Sequence, residues 1–204
     1  MPSMAPHFSV QGEYVSMHLS DGNPRRWPRE RKLADPDSDT IDYLVPADPN
    51  DEHDAHSLLK WKCKIGGFLM DFHKRAEPNQ NYYLTDFPDG YRLFVHRKGS
   101  KANPRRDCYL YGSANVTVFR SAAEFFFHAK WIVDGCQYGN NRKPRACGCK
   151  YCDPTANQAE ISAKWDNRHP KQKSLGRSRP SSQNAPRIMR VKTYPGIGGA
   201  VYRD

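Results

Sequence analysis

Long apolar runs are missing from this sequence. The longest apolar cluster, AEFFFHA at residues 123–129, is far short of the roughly 20 residues that a membrane-spanning helix needs. No basic head followed by an apolar stretch opens the chain, so no secretory signal is expected. A secreted-type disulfide framework is missing too. Of six cysteines, four lie between Cys136 and Cys152, three of them in CGCKYC, while Cys63 and Cys108 stand alone. In a reducing compartment, thiols clustered like this read as metal ligands. The histidines and carboxylates show no spacing that pairs a nucleophile with a base, so neither enzymatic activity nor a small-molecule substrate is expected. The apolar share is only 37%, with sixteen Pro and fourteen Gly, which implies much irregular chain. Aromatic residues, at 12%, are frequent enough to build a core.

Charge is present but unevenly placed. The net charge is +10, yet residues 1–60 hold six Lys/Arg against eleven Asp/Glu, and residues 61–204 hold 26 against 11. A chain acidic in front and basic behind has a half suited to a polyanion, with nucleic acid the leading partner. The densest stretch is HRKGSKANPRRD, where Arg97, Lys98, Lys101, Arg105 and Arg106 fall within ten residues.

The first 60 residues read as an acidic, partly irregular region with short strands at EYVSMHL and TIDYLV and a solvated loop at ADPNDEHDAH. LLKWKCKIGGFLMDFHKR is a short helix or a strand pair broken at Gly66-Gly67. A turn at Pro88-Asp89-Gly90 leads into a strand over Tyr91–His96, with Leu93 and Val95 on one face and Arg92, Phe94 and His96 on the other. Arg97 is expected beyond the end of that strand. CYLYGS makes a second strand, with Asp107, Tyr109 and Tyr111 opposite Cys108 and Leu110, and VTVF a short third. SAAEFFFHAKWIVDG is the best helix: Ser121 and Glu124 form a capping box and Gly135 supplies a stop. Leu93, Val95, Cys108, Leu110, Phe125, Ala129 and Ile132 are the expected core. Residues 155–204 read as a basic, disordered tail.

DFPDGY, RKGSKANPRRD, CYLY and FRS, in that order and at that spacing, resemble the methyl-CpG-binding domain, with Tyr91 standing where that family has tryptophan. The resemblance implies an α+β fold, a small antiparallel sheet packed on one main helix, over residues 61–154. It implies that Arg97 and Arg120 read guanine edges in the major groove, that Asp107 braces Arg97, and that Tyr109 faces DNA. Lys98, Lys101, Arg105 and Arg106 would then meet phosphates. SDGNPRRWP, KWKCKIGGFL, FPDGYRLFVHRKG, PRRDCYLYGS, FRSAAEFFFHAKW and CGCKYC together resemble the fungal cryptic-loci-regulator transcription-silencing family. That likeness implies a nuclear, heterochromatin-associated subunit of a histone-deacetylase repressor complex, bound to double-stranded DNA. Members often carry a bromo-adjacent-homology domain, for which the residues after 154 are too few, so a short or incomplete member is expected.

Two other readings use the same residues: a scaffold that links silencing subunits without binding DNA, and an RNA-binding module. The C-x-C-x-x-C triplet of Cys147, Cys149 and Cys152 supplies three ligands for one structural zinc in an extension of the module. The fourth is His128 on the helix or, alternatively, Cys136.

Overall fold

The computed structural model describes residues 6–34, 37–141 and 143–166. The chain divides into two units, 1–171 and 172–204, and the second lies outside the described residues, as does most of the expected basic tail.

The first unit is α+β, and its strands come from both halves of the sequence. Strands β1 (Phe8–Gln11) and β2 (Tyr14–Met17) form a hairpin. β3 (Arg31–Ala34) and β4 (Thr40–Pro46) form a second. Helix α1 (Glu52–Phe72) is followed by the short β5 (Tyr83–Leu84), then by the hairpin of β6 (Arg92–Ser100) and β7 (Arg105–Tyr111). Helices α2 (Ala122–Val133) and α3 (Gln158–Trp165) complete the order. One sheet runs β1-β2-β5 and the other β3-β4-β6-β7. The larger sheet is antiparallel throughout. The smaller is mixed, because β2 and β5 are parallel.

Alternation places Leu93, Val95 and Leu110 on one buried face as the sequence predicts, but Phe94 on the opposite face is buried as well, and β6 runs past His96 to Ser100. Leu93, Val95, Leu110, Phe125, Ala129 and Ile132 are all buried, while Cys108 is only half-buried. The two helices meet face to face at Phe68 and Phe126, whose rings stack 4.6 Å apart. Each such fully buried phenylalanine contributes on the order of 1.5–3 kcal/mol. Ser121 caps α2 as expected, accepting from the Glu124 amide, while the Glu124 carboxylate reaches back to the Arg120 N–H.

Four expectations need correction. Residues 1–60 do not form a separate region, because β4 pairs along its whole length with β6, from Thr40 opposite Ser100 to Pro46 opposite Phe94. VTVF forms no strand; only Phe119 bridges to Leu110. Gly66-Gly67 does not break α1: a Cβ on Gly66 would come within 2.9 Å of the Tyr82 carbonyl oxygen, so the glycine lets the helix lie against β5. Residues 158–165, assigned to the tail, are helical. Asn157 caps α3, and Trp165 packs edge-on against Phe68 with ring centroids 5.3 Å apart.

Candidate metal centre and nucleic-acid interface

The cysteine loop folds back onto the middle of α2. His128 is buried, and its Nδ1 lies 3.5 Å from Cys147 Sγ, 3.7 Å from Cys149 Sγ and 3.8 Å from Cys152 Sγ. The four ligand atoms all lie within 4.8 Å of one another, so the cluster could hold a metal ion. Of the two candidate fourth ligands the geometry selects His128. Cys136 stays outside the cluster, its thiol turned to the Ile132 carbonyl in the last turn of α2. Burial and the nearby Asp21 carboxylate push that thiol up to about 11, which keeps it protonated.

The reverse side of the His128 ring is equally specified. Its Nε2 lies 3.3 Å from Asp21 Oδ2 and 3.2 Å from Ser113 Oγ. Ser113 and Asn115 also donate to Asp21 Oδ2, and the Tyr91 hydroxyl donates to Oδ1. Burial works against the Asp21 charge, but the hydrogen bonds from His128, Tyr91 and Ser113 prevail and hold its carboxyl at about 2. A carboxylate accepting from Nε2–H fixes the imidazole tautomer with Nδ1 bare, as metal-bound histidines require. Thiol hydrogen bonds from Cys147 and Cys152, with His128 adding to them, pull the Cys149 thiol down toward thiolate. The loop is also tied to the first turn of α2, where Lys150 and Tyr151 both bond the Glu124 carboxylate.

The basic stretch is a strand pair with a short tip. β6 continues to Ser100, so alternation places Arg97 on the Leu93–Val95 face, which α1 covers. There Arg97 bonds Asp54 at 2.6 Å and approaches Asp51 at 3.5 Å. Arg106, directly opposite Arg97 in the register, reaches the same two carboxylates at 3.1 Å each. Asp107 does not brace Arg97. It sits opposite His96 on the other face and pairs with Arg105 at 2.8 Å. The physical reason is strand length: paired with β4 on one side and β7 on the other, β6 runs on past His96 to Ser100, and alternation turns Arg97 inward.

The remaining residues of the expected interface are spread around this hairpin. Lys98 and Lys101 are exposed near the tip, Lys98 lying 3.8 Å from Asp42 and Lys101 donating to the Ser38 carbonyl. Tyr109 is half-buried beside His96. Arg120 is exposed and lines a cleft with Arg106. Sequence reasoning missed Asp21, Ser113 and Tyr91, which lie up to 107 residues from His128 and carry no local signal. It also missed Asp51 and Asp54, whose signal was available: an aspartate at the N-cap with an acid three residues on is a helix start.

Residues 82–152 match the model of the transcription-silencing protein family of cryptic loci regulator Clr2. Those residues run from β5 to the last of the three clustered cysteines. Over that segment the chain is similar to the Clr2 transcription-silencing family. Cryptic loci regulator 2 of Schizosaccharomyces pombe is 22% identical over 152 residues, or 73% of this chain. The chain spans about a quarter of that relative, 26% of its length. A solved structure of Clr2 bound to the Clr1 C-terminus is 22% identical, covering 76% of this chain and 33% of its own, with a TM-score of 0.45.

Proposed function

We propose that this chain is a zinc-stapled interaction module of a nuclear transcription-silencing subunit, linking proteins of a histone-deacetylase repressor assembly on chromatin without reading base sequence. Similarity to the Clr2 family over residues 82–152, and to cryptic loci regulator 2, supports the silencing role. The observation that carries the choice of scaffold over base reader is the pairing of Arg97 and Arg106 with Asp51 and Asp54. A guanidinium committed to a buried carboxylate cannot present both donors to a guanine edge without breaking that pair.

Zinc is the metal this donor set favours. Sulfur at about 2.3 Å and nitrogen at about 2.0–2.1 Å from a tetrahedral ion stand about 3.6 Å apart, and the three N···S separations here are 3.5, 3.7 and 3.8 Å. Bound there, zinc would supply cross-linking and no chemistry, since four protein ligands leave no open position.

A second reading is sequence-independent contact with duplex phosphates through the hairpin tip. It is favoured by the exposure of the Lys98 and Arg105 side chains, 67% and 80%. Binding of CpG-containing and CpG-free duplexes at two salt concentrations distinguishes these readings from base recognition. The expected outcome is equal affinity for both duplexes in wild type and in Arg97→Ala. Any binding should be lost steeply with salt, and Lys101→Ala should flatten the salt slope by about one. A CpG preference in wild type that Arg97→Ala removes while the fold persists overturns the proposal.

A further inference from the structure

Between α1, β7 and the start of α2 lies a cleft of about 310 Å³. Lys60 and Lys64 of α1 line it together with Arg106 of β7 and Arg120 just before α2. Two of these cations are already committed. Arg106 pairs with Asp51 and Asp54, and Lys64 pairs with Asp166 at 2.5 Å. The side chains of Lys60 and Arg120 make no ion pair among the described residues. The buried Trp61 and Ala122 line it as well, with Ser57 and Ser121. The first amides of α2 lie at the same end, with no partner inside the helix and the positive end of its dipole behind them.

We propose that this cleft receives one anionic side chain, carboxylate or phosphoryl, from a partner protein, held by Lys60 and Arg120. Asp166, immediately after α3, shows the chemistry in cis: its carboxylate reaches into the same cleft and binds Lys64, a lysine whose side chain is only 10% exposed. A duplex is the poorer fit. Its phosphates form a convex row with about one charge per 1.7 Å of axis and call for cations spread along a surface, whereas this site is concave and its lining holds two cations without an ion pair among the described residues. The inference gives the scaffold reading a docking surface but rests on the cleft alone. The hairpin decides the other question.

The test is amide chemical-shift mapping and affinity measurement on the isotope-labelled full chain. The probes are short Gly/Ser peptides carrying phosphoserine, glutamate or plain serine at one position, and a short DNA duplex. The charged peptides, or phosphoserine alone if the phosphoryl group is required, should shift the amides of Lys60, Ser121 and Ala122, and the serine peptide should not. Lys60→Ala and Arg120→Ala should each weaken binding about tenfold, the loss of one charge-assisted hydrogen bond, with unchanged circular dichroism. Asp166→Asn, which removes the resident carboxylate and frees Lys64, should tighten it. Cleft shifts produced by the duplex and by neither charged peptide would overturn the proposal, as would Arg120→Ala binding like wild type or Asp166→Asn binding more weakly. Failure of the peptides leaves the scaffold reading standing, and CpG preference in the duplex series overturns that reading without touching the cleft.

Discussion

The Asp54 side chain is 1% exposed and faces two guanidinium groups, Arg97 at 2.6 Å and Arg106 at 3.1 Å. It also accepts the Asp48 amide, so it ties the approach to α1 as well as the hairpin. Removing one partner of a buried ion pair costs on the order of 3–5 kcal/mol, because the other charge stays buried and unmatched. Asp54→Ala should therefore lower unfolding stability in urea by about 3 kcal/mol or more. Arg97→Ala should cost less, since Arg106 remains to match Asp54. If Asp54→Ala unfolds at the wild-type midpoint, the pair holds nothing. At this scale the sequence is legible where a residue's role is set by near neighbours. Ser121, Glu124 and the alternation of Leu93, Val95, Cys108 and Leu110 are cases of that kind. Arg97 was misread because its partners lie 43 and 46 positions upstream, brought to it by a strand extension that only β4 reveals.

Among the elements, the cysteine loop and α3 are coupled through Cys152. That residue is a candidate ligand, and its amide and that of Asp153 both bond the Cys149 carbonyl, forming the turn that leads on to α3. Three thiols gathered on a histidine are held at a cost unless a cation neutralises the thiolates that form. Purified protein should carry one zinc per chain. Chelation should raise amide hydrogen exchange from Gln137 through α3 and expose Trp165, read by its fluorescence. Cys136→Ser should retain the metal, and His128→Ala should lose it. Protein from zinc-replete cells that contains no metal, or His128→Ala that retains it, would sink the site. CGCKYC was legible because three ligands lie within six residues and the fourth is on a helix with a clear period. The bond from His128 to Asp21 was not, since an aspartate in SDGNPRRWP gives no sign of the ring it will orient. Nor was the persistence of α1 through Gly66-Gly67: intrinsic propensity argues against it, and the close approach to β5 outweighs that.

At the scale of the whole fold, part of the charge asymmetry of the sequence is turned inward among the described residues. Three carboxylates of the acidic first 60 residues, Asp42, Asp51 and Asp54, pair with the basic hairpin. Asp42 takes Arg31 and His96 with Lys98 nearby, and Asp51 takes Arg106 and Arg97. A polarity that suggested an external polyanion is partly satisfied within the fold. The consequence can be read in acid. The Asp51 carboxyl is held below its usual value, first by the Asp54 amide at the helix cap and then by Arg106 and Arg97. Asp42 is likewise lowered, first by its bond to His96 and then by Arg31. For a carboxylate whose folded-state pKa is depressed, the added stability is complete above the unfolded value and is lost as pH falls through the folded one. Melting temperature should thus fall on acidification from neutral toward about pH 3. Acid also strips thiolate and imidazole ligands from a metal, so the fall in wild type alone identifies nothing. The informative quantity is the difference from a variant. Asp51→Asn and Asp42→Asn should melt below wild type at neutral pH and converge on it as acid protonates the carboxylates they lack. Curves that stay parallel over the whole range would mean that these pairs add no stability, and that the front half is held to the hairpin by its strand pairing alone.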